Sequence, residues 1–316
     1  MTELYTAANP AEALKLVSLP EDELFVGATQ LRRATFDNRI TLCAIINARS
    51  GNCGMDCRFC SQSKHNHTPI ETFSLLPDDE LRGRILALGT QPVARIGVVT
   101  SGGALSGEEF DRLLGVLRSL PEYVLKRVCA SLGKLSAVQL AQLMDIGLDR
   151  YHHNLETSRR YYPSICTTQT WDQRKATVER VFGAGMTACT GGLFGLGESW
   201  RDRIDFAFAL KSLGVTHVPM NFLHPHPETP LAGQPPLTAG EALRIVAVFR
   251  HILPTATLRI CGGRPLVLGA RQKEIFAAGA NALMTGDYLT TQGRGLVDDL
   301  AMIDSLGLEV DCDQSC

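Results

Sequence analysis

The sequence predicts an α/β protein whose core is a (β/α)8 barrel of the TIM type. Short apolar runs rich in β-branched residues alternate with longer amphipathic segments, and the alternation occurs eight times along the chain. Strands that alternate with helices form parallel sheets, and eight such units close into a barrel. No low-complexity segment or long linker interrupts the pattern, so the 316 residues are expected to form one barrel with short extensions.

Most of the predicted strands are apolar, and the fourth is polar but extended in character. In chain order they cover residues 39–46, 94–101, 124–131, 149–154, 186–193, 216–223, 257–263 and 280–286. The amphipathic segments between them predict helices at residues 78–90, 106–120, 136–148, 171–185, 199–214, 239–253 and 270–280. The first of these helices has acidic residues in its first turn and a glycine near its end, as helices commonly do.

We divide the chain into three parts on this pattern. Residues 1–35 are predicted to be an N-terminal helical extension, residues 36–290 the barrel, and residues 291–316 a C-terminal helix followed by a loose, cysteine-containing tail. A barrel carries its chemistry in the loops that follow the C-terminal ends of its strands. The loop after the first strand is therefore the first place to look for a site.

Composition and charge exclude several classes of partner. The formal net charge is -2 and 45% of the residues are hydrophobic, which argues against broad binding to nucleic acid or to an anionic membrane. The N-terminus lacks a basic stretch followed by a long apolar one, and no apolar run approaches the roughly 18 residues of a membrane span. We expect a cytoplasmic protein with no membrane partner.

Three of the ten cysteines lie within eight positions, in the sequence CGMDCRFC. Cys53, Cys57 and Cys60 follow the first predicted strand, and their thiolates suit zinc or an iron–sulfur cluster. A structural zinc needs four protein ligands, and His65 or His67 could supply the fourth. A cubane cluster held by only three cysteines instead keeps one iron open for a small molecule.

The spacing of these cysteines, in the loop after the first barrel strand, resembles the radical S-adenosylmethionine superfamily. The resemblance implies a 4Fe–4S cluster whose open iron binds S-adenosylmethionine. One electron then cleaves a carbon–sulfur bond and releases a 5′-deoxyadenosyl radical. Phe59 corresponds to the aromatic residue that the superfamily often places against the adenine.

The resemblance narrows to the biotin synthase family over residues 35–310. The segments that carry it are GNCGMDCRFCSQSKHN, YHHNLETS, CTGGLFGLGES, NFLHPHPETPL, RICGGR and GANALMTGDYLTTQGRG, in the order and spacing of the family. The resemblance implies insertion of sulfur between C6 and C9 of dethiobiotin. It also implies two molecules of S-adenosylmethionine per product, sulfur from a second iron–sulfur cluster, and an electron donor such as flavodoxin or ferredoxin. A homodimer is compatible with it.

Several polar residues match family positions that bind these ligands. Asn154 and Glu156 match positions on the S-adenosylmethionine ribose, and Asn154 and Asn221 match positions on the ureido ring of dethiobiotin. An amide can donate to and accept from a urea, and oxygens accept from ribose hydroxyls. Glu156 replaces the usual aspartate, and His152 stands where the family often has another substrate-binding asparagine. The glycine-rich segment after the fifth strand implies backbone packing against the nucleoside by Gly191, Gly192 and Leu193.

The sequence departs from the family at the second cluster. The resemblance implies a 2Fe–2S unit bound by three cysteines and one arginine, and Cys129, Cys189 and Arg259 match three of these positions. Gly97 occupies the fourth, and glycine has no side chain to bind iron. We therefore expect a cluster that is held differently, or none.

Two other groups of cysteines could complete the ligand set. Side chains two residues apart face the same way along a strand, so Cys261 should face the barrel interior with Arg259. Together with Cys43 of the first strand this puts thiols on strands one, three, five and seven, which contribute to one layer of a barrel interior. Four thiols in one layer could hold a cubane cluster, with Arg259 catalytically important beside it. The alternatives are ligation by Cys312 and Cys316 of the tail, or a purely structural role. Cys166 is expected to be a small buried hydrophobe.

Two further functions fit the same motifs. One is a related radical enzyme, of the kind that makes an iron-hydrogenase cofactor or methylornithine, which shares the cluster loop and the glycine-rich segment. The other is an iron–sulfur carrier or scaffold that only delivers a cluster. A carrier has no need for the nucleoside and substrate positions Asn154, Glu156 and Asn221.

Overall fold

The computed structural model describes residues 5–312 and contains the barrel that the sequence predicts. Its strands are β1 (Arg39–Arg49), β2 (Arg95–Thr100), β3 (Val128–Ser131), β4 (Arg150–His152), β5 (Thr187–Cys189), β6 (Gly192–Phe194), β7 (His217–Phe222), β8 (Thr257–Ile260), β9 (Ala282–Met284) and β10 (Glu309–Asp311). All pairings between them are parallel. Strand β1 pairs with both β2 and β9, and this pairing closes the sheet. Strands β5 and β6 are two parts of the fifth barrel strand, so eight strand positions form the barrel.

Helices cover the outside of the barrel. They are α1 (Pro10–Leu16), α2 (Glu21–Phe36), α3 (Asp78–Gly89), α4 (Gly107–Arg118), α5 (Glu122–Leu125), α6 (Ala137–Asp145), α7 (Trp171–Gly183), α8 (Trp200–Ser212), α9 (Ala239–Ile252), α10 (Arg264–Leu268) and α11 (Leu296–Asp304), with 3-10 turns at Tyr162–Ser164 and Gly269–Ile275. Helices α4, α6, α7 and α8 each begin with a capping box. In this motif two backbone N–H groups that lack a helical partner bond to side chains, which explains why these helices start where the sequence predicts.

Three local predictions were wrong. The strand predicted from residue 124 begins at Val128, because Pro121 initiates the short helix α5. The helix predicted over 270–280 is instead a 3-10 turn at Gly269–Ile275, and α10 ends before it at Leu268, where Gly269 has a positive φ of 49°. The C-terminal tail is not loose up to Asp311, because β10 pairs with the start of β1. The division of the chain after residues 35 and 290 stays a prediction.

The register of the parallel sheet places the site residues of neighbouring strands next to each other. Gly97 of β2 pairs with Cys129 of β3, and His152 of β4 pairs with Cys189 of β5. The buried apolar side chains form one core between the barrel and its helices. Among the residues described, no helix is both long and apolar enough to cross a bilayer.

Candidate active site

The three-cysteine loop follows β1 and is held by backbone and amide contacts. Cys53, Cys57 and Cys60 all line one cavity at the C-terminal end of the barrel, which we call the cluster cavity. The Asn66 amide donates to the carbonyl oxygens of Cys57 at 3.0 Å and Cys60 at 2.8 Å. The backbone N–H of Cys53 donates to the Gln62 carbonyl at 2.9 Å. These bonds define the shape of the loop, and its three thiols line a common space.

These residues fit a 4Fe–4S cluster better than a single metal ion. Across residues 5–312, no three His, Cys, Asp or Glu side chains converge closely enough to bind one ion. In a cubane each thiolate binds a different iron, so its ligands stand further apart than those of one zinc. His65 and His67 are exposed, and the His65 ring lies 3.2 Å from the Gly54 carbonyl oxygen. They therefore give the zinc alternative no support.

A second segment, residues 165–168, packs against the outside of the cluster loop. The Asp56 carboxylate accepts hydrogen bonds from the N–H groups of Thr167 at 2.9 Å and Thr168 at 3.0 Å. Burial opposes ionisation of Asp56, but these bonds and those from the two threonine hydroxyls hold its pKa well below the usual range. The Cys166 thiol donates to the same carboxylate at 3.2 Å. Asp56 thus ties the loop to a segment more than a hundred residues away.

Asn154 and Glu156 lie at the end of β4 and also line the cluster cavity. The Asn154 amide oxygen accepts from the Gly191 N–H at 3.1 Å, and its nitrogen donates to Glu156 at 3.4 Å. Arg174 of α7 donates to the Asn154 carbonyl at 2.9 Å and forms an ion pair with Glu156 at 3.5 Å. Burial raises the pKa of Glu156 in spite of Arg174. The pair therefore offers buried oxygen acceptors of the kind that ribose hydroxyls need.

The glycine-rich segment allows two backbones to approach closely. A Cβ atom on Gly191 would lie 1.9 Å from the Pro219 carbonyl oxygen, and one on Gly192 would lie 2.1 Å from the Glu156 carbonyl oxygen. The Leu193 N–H donates to the same Glu156 oxygen at 2.9 Å. Glycine is needed at both positions, because a larger residue would collide with Pro219 at position 191 and with Glu156 at position 192.

The remaining predicted ligand-binding residues surround the mouth of the barrel. Phe59, His152, Leu193 and Asn221 line a wider opening above the cluster cavity. The Asn221 side chain donates to the Gly192 carbonyl at 3.2 Å and accepts from the Gly262 N–H at 3.0 Å. Asn221 therefore joins the strand ends β6 and β8 and also faces the opening.

Four thiols line a second cavity, deeper in the barrel. Cys43, Cys129, Cys189 and Cys261 line one cavity of about 270 Å³ together with Arg259, and we call it the inner cavity. Arg259 donates to the Cys189 sulfur at 3.8 Å. A Cβ atom placed on Gly97 would lie 3.7 Å from the Cys129 sulfur, so Gly97 occupies the position from which a side chain could have joined this group.

The inner cavity is electropositive. Arg95 and Arg150 line it with Arg259, and among the described residues no carboxylate does. Burial opposes ionisation of Cys189, but a hydrogen bond from His152 and the charges of Arg259 and Arg150 lower its pKa to about 7. Thiolates and thiolate-bound iron–sulfur clusters are anionic, so the cavity suits such a group.

The tail is placed at the opposite end of the barrel from the cluster cavity. Asp311 of β10 pairs with Thr41, near the start of β1, and the next residue, Cys312, is exposed. Cys316 lies outside the described residues.

Comparison with known proteins identifies the family. Residues 48–210 match the model of the Radical SAM superfamily, and residues 219–309 match the Biotin and Thiamin Synthesis associated domain. The biotin synthase of Pelotomaculum thermopropionicum is 46% identical over 302 residues, covering 95% of this chain and 94% of the relative. That of Nitratidesulfovibrio vulgaris is 43% identical over 309 residues, covering 94% of this chain and 85% of the relative.

The chain belongs to the biotin synthase family. It is therefore a radical S-adenosylmethionine enzyme, and membership implies a 4Fe–4S cluster and S-adenosylmethionine as cofactors. Solved structures are similar in fold alone. A methylornithine synthase superposes with a TM-score of 0.81 at 18% identity, covering 96% of this chain and 94% of its own. The FeFe-hydrogenase maturase of Carboxydothermus hydrogenoformans gives 0.80 at 17%, covering 98% of this chain and 77% of its own.

Sequence reasoning missed several residues of this biotin synthase family site. Arg174, Asp56 and Asn66 support the cluster loop and the ribose acceptors, while Arg95 and Arg150 line the inner cavity. The two strand arginines had a signal, because each lies two residues before an inward position on its strand. Arg174 had none, because it is one of several charged residues on an ordinary amphipathic helix.

Proposed function

We propose that this enzyme inserts sulfur between C6 and C9 of dethiobiotin and that an auxiliary iron–sulfur cluster donates the sulfur. The observation that carries the proposal is the junction of the two cavities. Ser131, His152 and Asn154 line both the cluster cavity, with its three thiols, and the inner cavity, with its four. A substrate held at this junction would face a radical source on one side and a sulfur source on the other.

Each predicted site residue in and around the cluster cavity has a proposed role. Cys53, Cys57 and Cys60 would hold the 4Fe–4S cluster, and Phe59 would stack on the adenine. Glu156 and Asn154 would accept the ribose hydroxyls, while the backbone of Gly191, Gly192 and Leu193 would pack against the nucleoside. Asn154, Asn221 and His152 would bind the ureido ring. When bound, the cluster and S-adenosylmethionine supply the 5′-deoxyadenosyl radical that removes hydrogen from C6 and C9.

The auxiliary cluster is proposed to have four irons instead of two. Its ligands would be Cys43, Cys129, Cys189 and Cys261, whose shared cavity supports the assignment. Arg259 would then donate hydrogen bonds to sulfur, for which a guanidinium is well suited, although direct ligation by Arg259 is the alternative. Ligation by Cys312 and Cys316 is the other alternative, and the exposure of Cys312 speaks against it.

The protein's own residues would assist the reaction by excluding water from the inner cavity and by stabilising negative charge on sulfur. The thiols of the inner cavity are almost fully buried, so bulk water is kept from the sulfur donor. Arg95, Arg150 and Arg259 stabilise negative charge on sulfur in this buried space. We further propose an electron donor such as flavodoxin or ferredoxin, a homodimer, and a cytoplasmic location.

The function is tested with anaerobically reconstituted, reduced protein given S-adenosylmethionine and dethiobiotin. We expect 5′-deoxyadenosine, methionine and biotin, quantified by chromatography and mass spectrometry. Cys57→Ala should abolish both deoxyadenosine and biotin, because a cubane loses one of its three thiolate ligands. Normal deoxyadenosine formation by Cys57→Ala would falsify the radical assignment. Cleavage without biotin would favour a related radical enzyme, and no cleavage by the wild type would favour a cluster carrier.

A further inference from the structure

Cys166 is a buried thiol that the proposed reaction does not use. It follows the 3-10 turn at Tyr162–Ser164 and is 3% exposed. Its thiol donates to the Asp56 carboxylate at 3.2 Å. Asp56 directly precedes Cys57, which is the middle cysteine of the cluster loop and a proposed ligand of the 4Fe–4S cluster.

The backbones that carry these two thiols run side by side. The Arg58 N–H donates to the Ile165 carbonyl at 2.9 Å, and the Asp56 N–H donates to the Thr168 hydroxyl at 3.0 Å. The residues on either side of Cys57 are thus bonded to the residues on either side of Cys166. A disulfide requires Cα atoms within about 7 Å of each other, and these hydrogen bonds on both sides of the two cysteines hold their backbones close together.

The pair also has access from outside the barrel. Cys166 lines a surface cavity with Thr167, Thr170 and Trp171, whereas Cys57 lines the cluster cavity on the other side. A small oxidant or a dithiol can reach Cys166 through the surface cavity without passing through the active site.

We propose that Cys57 and Cys166 form a reversible disulfide when the protein lacks its 4Fe–4S cluster. The two thiols lose two protons and two electrons to molecular oxygen, which becomes hydrogen peroxide, and one sulfur–sulfur bond forms. A dithiol reverses the step by exchange and takes up the disulfide itself. Oxidised Cys57 has no thiolate, so it cannot bind iron, and the disulfide blocks cluster loading while it protects Cys57 from irreversible oxidation.

The block on cluster loading rests on the proposed role of Cys57 as a cluster ligand, whereas formation of the disulfide does not depend on that role.

The disulfide is tested by peptide mapping. Cluster-free wild-type protein is exposed to oxygen, alkylated, and digested with trypsin. Cleavage after Arg and Lys separates residues 50–58, 59–64 and 161–174. We expect peptide 50–58 joined to peptide 161–174, with fragmentation locating the bond at Cys57 and not Cys53. The linkage should vanish after treatment with a dithiol and in Cys166→Ser.

Iron incorporation under anaerobic reconstitution without a reducing thiol gives the second measurement. Oxidised wild type should incorporate little iron until a dithiol is added, whereas oxidised Cys166→Ser should load to the level of the reduced wild type. Alkylated Cys166 in the oxidised protein, or Cys57 linked to Cys53 or Cys60, overturns the disulfide. If the linkage is confirmed but the oxidised protein still incorporates iron normally, the disulfide forms but does not block cluster loading. The two measurements therefore test the two claims separately.

Discussion

At the scale of single residues, the four thiols of the inner cavity differ in their pKa values. Burial raises the pKa of Cys129 to about 12, and it also raises the pKa values of Cys43 and Cys261 despite the nearby Arg259. Cys189 is the exception, since His152 and the arginines outweigh its burial. Cys189 is therefore the thiol of this cavity that most readily loses its proton.

Cys261→Ser should separate the two halves of the reaction. We expect it to lose the auxiliary cluster and biotin formation while S-adenosylmethionine cleavage continues, because Cys261 lines the inner cavity and not the cluster cavity. Iron and sulfide counts with Mössbauer spectroscopy would measure the cluster. Cys312→Ser is the matched control and should keep both. If Cys43→Ser and Cys261→Ser make biotin normally and Cys312→Ser and Cys316→Ser do not, the ligands come from the tail.

Asn154→Ala should weaken binding of both S-adenosylmethionine and dethiobiotin. The change removes the acceptor of the Gly191 N–H as well as the proposed ligand contacts. An unmatched buried polar group costs ~1–3 kcal/mol, which corresponds to about fivefold to 150-fold in affinity. Calorimetric titration of each ligand gives the measurement. Unchanged affinity for both ligands would show that Asn154 only closes a turn.

At the scale of secondary structure, the break between β5 and β6 shapes one side of the site, where we propose that the nucleoside binds. The fifth barrel strand stops at Cys189 and resumes at Gly192, and between them the backbone turns so that Gly191 meets Asn154. Glu156 itself has a φ of 70°, which is uncommon for a residue with a side chain. Its carbonyl bond to Leu193 holds it in this conformation.

Gly192→Ala should therefore damage the site through backbone displacement. The new methyl group would lie 2.1 Å from the Glu156 carbonyl oxygen, so we expect loss of stability and weaker S-adenosylmethionine binding. Gly115→Ala in α4 is the control, because a Cβ there meets nothing within 4 Å. It should stabilise the protein by ~0.5–1 kcal/mol through helix propensity. Both are measured by urea denaturation, and equal effects would contradict the steric argument.

At the scale of the whole molecule, the C-terminal segment stabilises the barrel and lines its mouth. Arg264 and Asp299 form a fully buried pair with two bonds of 2.8 and 2.7 Å, which ties α11 to α10. Between these helices the chain passes over the mouth, where the hydroxyl groups of Thr290 and Ser61 are 2.8 Å apart. Residues 288–291 line the inner cavity, and this contact fixes them to the cluster loop.

Asp299→Ala should destabilise the whole chain, because it leaves Arg264 buried without its partner. Breaking a buried pair in this way costs ~3–5 kcal/mol, which chemical denaturation would measure as a lower midpoint. Asp298→Ala, at the exposed neighbouring position of the same helix, should change stability by no more than about 0.5 kcal/mol. Comparable losses in the two variants would mean that the ion pair does not matter for stability.

The sequence by itself determined the features that depend on residues close together along the chain. The alternation of apolar runs and amphipathic helices predicted the barrel, and the spacing of Cys53, Cys57 and Cys60 predicted a loop with three thiols, because these signals are local. The strand period also indicated that Cys261 faces inward with Arg259, as the inner cavity shows.

Only the tertiary structure decided which distant residues meet. The hydrogen bond of Cys166 to Asp56, the ion pair of Arg174 with Glu156 and the pairing of β10 with β1 join parts of the chain that are far apart in sequence. The start of β3 at Val128 and the loss of the helix predicted over 270–280 were also decided outside the apolar pattern, by Pro121 and Gly269. Periodicity reports which face of an element is buried, but packing of the closed barrel decides what that face touches.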